Sequence, residues 1–192
     1  MDSAGDLHCP LIVMDTAPAA VLGATFDPLT GQDRRKMIVN VGNFHTLAFR
    51  LGEGGNTPGM GIEGVFEHHT GEIDLAKLEM LLRALADGSL KHEDVFNDMG
   101  HGALIYSHEP LGLGQDAFDV VVTGPRRSIF QGTKMARKGL RPYFAVPFGD
   151  MMIAGCFGLL AATADVLPNV REEVQRSMLA GGGRGTAPWD ID

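Results

Sequence analysis

The sequence predicts an α/β fold, a mixed five-stranded sheet with helices on both faces, and three observations carry that reading. Short β-type runs at Met37–Val41, His45–Leu51 and Ile62–Phe66 follow one another with turn residues between them. Leucines at 75, 78, 82 and 85 then recur at three- and four-residue spacing, the period of one helix face. Phe118–Thr123 (FDVVVT) is a continuous apolar run of the sort buried on both faces of a sheet. A chain of 192 residues suits one domain, and its 44% hydrophobic content excludes disorder throughout. With 24 acidic against 16 basic residues the net charge is −8, the wrong sign for a general nucleic-acid binder.

The elements follow in order. Residues 1–35 read as an N-terminal connector: the apolar runs Leu11–Met14 and Ala20–Phe26 are separated by Pro18, and Asp27–Lys36 is turn-rich and charged. Gly42-Asn43 is a turn pair of the kind that joins hairpins, and the glycine-heavy loop Gly52–Gly61 leads to the third strand. Asp74 is placed to cap the leucine helix and Gly88 to stop it. Ser89–Asp98 reads as a shorter helix, and a basic helix from about Arg126 to Lys138 follows the FDVVVT strand. Tyr143–Val146 is the last strand, Met151–Ala164 an apolar helix, Val170–Leu179 an amphipathic one, and 181–192 a flexible tail. Strands joined by hairpins run antiparallel, whereas strands joined by helical crossovers run parallel. Three of the first kind followed by two of the second make residues 36–165 a ribonuclease H-like lobe, with a C-terminal helix over 166–180.

No stretch reaches the roughly 20 apolar residues of a membrane span. The N-terminus, MDSAGDLHCP, carries acids where a signal peptide has basic residues. Two cysteines, Cys9 and Cys156, form neither a CxxC pair nor a disulfide framework. The expected location is the cytoplasm, with no membrane partner.

Three loops carry the functional expectation. In NVGNFHT, Asn40–Thr46, a glycine-bearing turn between strands can aim several backbone N–H groups at one oxyanion, and Thr46 adds a hydroxyl. This loop resembles the second phosphate-binding loop of the actin, heat-shock chaperone and sugar kinase ATPase superfamily. VVVTGPRRSIF, Val120–Phe130, looks like the adenosine-binding strand of the same proteins, and VPFGDMMIAGCFGLLAA, Val146–Ala162, like their final strand-to-helix junction. The resemblance implies ATP and Mg²⁺ as cofactors. Asn40, Gly42, Asn43 and Thr46 would contact phosphates, Thr123 and Gly124 would face the adenosine, and Asp150 would stand at the last junction. His45, Glu67 and His69 are the candidate catalytic groups, His45 or Glu67 near the attacked phosphorus.

NVGNFHTLAF, FEHHTGEI, VFNDMGHGA and GDMMIAGCFGLL together resemble one family, grouped with the actin-like ATPases, whose members are labelled pyruvate formate-lyase activating enzyme. That label conflicts with the chemistry of this chain. A radical activating enzyme needs three closely spaced cysteine thiolates for its iron–sulfur cluster, which cysteines at positions 9 and 156 do not supply. Two departures from the ATPase pattern also matter. Asn40 stands where the superfamily has Asp, and an amide orients water without bringing charge to a metal. Pro125 replaces a glycine and offers no N–H. The chain holds only a second lobe, so a first lobe, on a longer chain or on a second one, is the expected partner. A non-catalytic binding module on the same fold is the alternative.

The histidines open a third reading, a metal-dependent hydrolase. His68, His69 and His101 are the candidate ligands, with His45 expected nearby, although neither HExxH nor HxH is present. In adjacent strand positions His68 and His69 point to opposite faces. His8, His92 and His108 read as surface residues. Gly59-Met-Gly61-Ile-Glu-Gly64 satisfies GxGxxG but precedes a strand where a dinucleotide site needs a helix, and GxxxxGK[ST] is absent. The nuclease chemistry of the ribonuclease H-like fold falls with Asn40, because catalytic metal there needs a carboxylate.

Overall fold

A computed structural model describes residues 10–32, 35–53, 61–130 and 139–181. The GxGxxG glycine Gly59, residues 131–138 of the expected basic helix and residues 182–192 of the expected tail lie outside the described residues. The elements are α1 (Thr16–Ala24), β1 (Lys36–Val41), β2 (His45–Gly52), β3 (Gly61–His69), α2 (Leu75–Asp87), α3 (His92–Phe96), β4 (Gly100–Ile105), β5 (Val120–Thr123), β6 (Pro142–Phe144), α4 (Ala154–Val166) and α5 (Pro168–Gly181). The strands form one mixed sheet in the order β4-β3-β2-β1-β5-β6. β1 to β4 pair antiparallel, while β5 runs parallel to β1 and β6 parallel to β5.

The sheet has six strands, one more than expected. The additional strand is β4, GHGALI, whose two glycines and histidine break the alternation that marks a half-buried strand. It adds to the outer edge beside β3, where a partner ladder compensates for weak propensity.

α2 forms as its sequence indicates. The Asp74 carboxylate accepts from the Lys77 amide at 2.8 Å, and Gly88 ends the helix in the left-handed region. Its buried face, Leu78, Leu81, Leu82 and Leu85, packs with Met37, Val39, Ala48 and Phe66 on one side of the sheet. On the other side Ile38, Phe49 and Val121 pack against Val21 and Ala24 of α1.

α1 corrects the expected connector or hairpin over the first apolar runs. TAPAAVLGA has no polar face because it lies between the sheet and α4, which hides the helical period. Pro18, read as a separator, sits in the first helical turn, where a missing N–H leaves no bond unmade. α1 and α4 meet through glycines: a Cβ on Gly23 would lie 1.8 Å from the Ala154 carbonyl oxygen, and one on Gly158 would lie 1.9 Å from that of Ala19. The loop after α1 is pinned by the buried Asp27, whose carboxylate accepts from the Tyr143 hydroxyl at 2.8 Å and the Val146 amide at 3.0 Å. Burial and then the adjoining Asp27 charge push the Tyr143 pKa up, so the phenol stays a donor.

The expected basic helix is, in its described part, a 3-10 turn at Arg127–Phe130. Arg127 donates to the Ala145 carbonyl at 3.1 Å and lies over the Phe144 ring, so it is engaged with β6. No helix among the described residues is long and apolar enough to cross a membrane.

Candidate functional site

The parallel pairing of β1 with β5 places Asn40 opposite Thr123 at the carboxyl ends of both strands. From β1 the chain continues through β2, β3 and β4 on one side and returns through β5 and β6 on the other. Such a switch point leaves a crevice beyond the strand ends, where open α/β sheets bind ligands. A cleft of about 740 Å³ occupies this place. Its floor is Asn40, Gly42, Asn43, His45, Glu67, Thr123 and Gly124; Asp15 to Ala20 and Met151 to Leu159 supply residues to its walls.

The turn between β1 and β2 is held from both sides. The Gly42 amide donates to the His45 carbonyl at 3.0 Å, and the Thr70 hydroxyl donates to the Gly42 carbonyl at 2.9 Å. At the end of β5, Gly124 has φ +98, and a Cβ there would lie 2.5 Å from the Val41 carbonyl oxygen and 2.8 Å from Asn40 Oδ1. Only glycine lets the two strand ends approach this closely. Thr123 is fully buried, and its Oγ1 has no hydrogen-bond partner among the described residues. A buried hydroxyl left unpaired costs about 1–3 kcal/mol, and Thr123 carries that cost beneath the cleft floor.

The structure therefore gathers seven of the expected site residues. Thr46 and His68 are directed elsewhere, because alternation along β2 and β3 turns them to the opposite, buried face. Thr46 Oγ1 lies 2.9 Å from Thr70 Oγ1, a bond that holds the turn from beneath and leaves no atom for a phosphate. His68 is fully buried, with Nε2 3.3 Å from Asp98 Oδ2. Lys77, first, and His68 hold the Asp98 carboxyl below its usual range. His68 thus leaves the expected metal set, and its rotation away is the reason. Asp150 stands outside the cleft lining; its carboxylate accepts from the Met152 amide at 2.7 Å, ordering the turn before α4.

His45 replaces His68. One ring nitrogen from each of His45, His69 and His101 lies within 4.8 Å of the others, and these are residues that could hold a metal. The pairing His45↔His69 belongs to the β2–β3 ladder, whose register shifts between Arg50 and Leu51, so counting along the sequence does not signal it. Glu67 Oε1 lies 3.5 Å from His45 Nδ1. Sequence reasoning missed the wall formed by Asp15 and Thr16 at the start of α1, because α1 was not legible as a helix, while Cys156 and Leu159 of the opposite wall fall within the expected strand-to-helix junction.

Over residues 1–129 the sequence matches the family described as "Putative pyruvate format-lyase activating enzyme (DUF1786)". That stretch carries β1 to β5 and with them the whole cleft floor and the three histidines. Neither a curated protein nor a solved structure matches the chain.

Proposed function

This chain belongs to the family matched over residues 1–129, and we propose that it acts as the nucleotide-binding lobe of an actin-like ATPase or phosphotransferase. The observation that carries the reading is the cleft of about 740 Å³ at the switch point between β1 and β5, floored by Asn40, Gly42, Thr123 and Gly124. Antiparallel β1–β3 followed by parallel β5 and β6 is the strand arrangement that a ribonuclease H-like lobe requires, with β4 added outside it.

In this reading the Asn40–Asn43 turn holds phosphate oxygens through backbone N–H groups and the Asn40 amide. The glycine at 124 lets an adenosine lie against the end of β5. Glu67 and Asp15 are the carboxylates of the lining, and they would hold the water shell of the magnesium ion that accompanies the nucleotide and neutralises its phosphates. Asn40 itself brings no charge to that ion, which favours binding with slow turnover and keeps a non-catalytic binding module as the second reading. α4 is apolar on every side yet leaves Cys156, Leu159 and Leu160 exposed near the cleft, a surface suited to a first lobe closing over the nucleotide.

Asn40→Ala tests the proposal, because it removes the one side-chain amide at the end of β1 from the cleft floor. Without ligand the variant should melt within about 1 kcal/mol of the wild type. Mg·ATP or Mg·ADP at a hundred times its dissociation constant should raise the wild-type Tm by roughly 5–10 °C. The alanine variant should bind about tenfold more weakly, the loss of one hydrogen bond. Equal nucleotide shifts in both proteins, or none in the wild type, would overturn the reading.

A further inference from the structure

Three histidines stand on three consecutive strands at one corner of the sheet. His45 opens β2 and His69 closes β3, and the antiparallel ladder sets them opposite each other. The third comes from an irregularity. Glu67 pairs with Gly102 and His68 with Gly100, so His101 is the extra residue of a β-bulge. A regular β4 would set His101 opposite the buried His68; the bulge re-aims its side chain toward His45 and His69. The backbone around it is committed to that shape, with Met99 at φ +65 before it and Gly102 at φ +112 after it. Non-glycine residues in the left-handed region are uncommon and collect at functional sites.

The rings are grouped tightly. Centroids lie 5.0 Å apart for His45 and His69, 5.0 Å for His45 and His101, and 4.6 Å for His69 and His101. Apolar packing is a poor reason for this grouping, because His45 and His101 are exposed and bury little surface between them. Tetrahedral zinc holds imidazole nitrogens at about 2.0–2.1 Å, hence about 3.3 Å from one another. The nitrogens within 4.8 Å reach that spacing by small rotations of side chains that solvent leaves free to turn.

We propose that His45, His69 and His101 bind one zinc ion, with a fourth position open to water or to an oxygen of a bound anion. Three imidazoles suit a borderline-soft divalent cation over Mg²⁺ or Ca²⁺, which prefer oxygen donors. Glu67, beside His45 Nδ1, stands where a carboxylate orients a ligating imidazole from behind. His45 lines both the nucleotide cleft and the depression shared with His69, so the ion lies at the mouth of that cleft. There the metal would polarise an anion's oxygen or lower the pKa of a bound water. The site stands on its own residues and does not require the nucleotide reading.

The test uses tag-free chain stripped with EDTA, titrated with zinc alone against a chromophoric chelator, and elemental analysis of protein grown with zinc. One zinc per chain is expected, with affinity at least 100-fold weaker in His69→Ala and in His101→Ala. Glu67→Gln should weaken it about tenfold, the usual effect of losing a partner behind a ligand. His108→Ala, beyond the far end of β4 and beside the end of α2, should bind as wild type does. Co²⁺ should give the visible bands of a tetrahedral complex in the wild type and not in His101→Ala, whose exposed side chain can be removed without unfolding. Zinc held no more tightly by the wild type than by the triple alanine variant would sink the proposal, as would equal losses in His108→Ala and His101→Ala. Zinc binding without a nucleotide shift keeps this site and removes the nucleotide reading; the converse keeps only the latter.

Discussion

Arg50→Met should destabilise the protein by about 3 kcal/mol, the upper range for the hydrogen bonds of a charged group. Arg50 is the largest fully buried side chain of the sheet. Its Nε donates to Glu63 Oε2 at 2.9 Å, and its Nη1 donates to the Ala86 carbonyl at 3.0 Å and the Leu85 carbonyl at 3.3 Å. Nη2 reaches the Glu109 carbonyl and Ser107 Oγ. One guanidinium thus closes the C-terminus of α2, where a cation is favoured by the helix dipole, and ties it to β3 and to the segment after β4. Methionine fills the volume but gives up these bonds, while Glu63 and the Glu109 carbonyl keep Arg35 and the Ala86 carbonyl keeps the Leu111 amide. At this chain length the loss corresponds to roughly 6–12 °C in Tm. A fall under 3 °C would show that water takes over the acceptors, while Arg50→Lys should lie between wild type and Met.

The same cluster sets a dependence on pH. Burial alone would raise the Glu63 pKa, but the hydrogen bonds and charges of Arg35 and Arg50 outweigh it and hold the carboxyl below its ordinary range. A depressed carboxylate contributes stability that is fully present above its unfolded pKa of about 4.3 and is lost as pH falls through the folded value. Wild-type Tm should therefore fall as pH drops below about 4, and Arg50→Met should show a shallower fall over the same window. Parallel slopes would remove Glu63 from the account.

The second large effect is expected at the crossing of α1 and α4. Gly158→Ala puts a Cβ 1.9 Å from the Ala19 carbonyl oxygen, a distance backbone atoms can relieve only if the helices part by about an ångström. Overpacking of this kind costs about 1–3 kcal/mol and more where backbone must move. The consequence reaches the site, since these two helices wall the cleft, so the Tm shift with Mg·ADP should shrink as well. Gly155→Ala is the internal control, one helical turn away. A Cβ there meets only the Ala20 amide, at 3.9 Å, and the Thr16 carbonyl, at 4.0 Å, so alanine should be neutral or gain up to about 1 kcal/mol from helix propensity. Equal melting of the two variants would mean that the helices are not locked through Gly158.

Much of this molecule was legible locally. Leucine spacing, Asp74 and Gly88 define α2 because a helix face, its cap and its stop are written within a few residues of one another. The meander of β1, β2 and β3 follows from alternating runs and from Gly42-Asn43. The convergence of Asn40, Gly42, Glu67, Thr123 and Gly124 was also within reach, since hairpin and crossover rules bring those strand ends together. Tertiary structure decided the rest. α1 lies apolar between sheet and α4, so packing on both sides erased the period that would have marked it. β4 holds its place through pairing with β3 rather than through propensity. Thr46 and His68 were assigned to a site by residue type, but alternation turns both into the opposite core, and only the assembled register replaces His68 with His45. His101 joins His45 and His69 through a bulge, and a bulge depends on what the neighbouring strand offers, which no local pattern records.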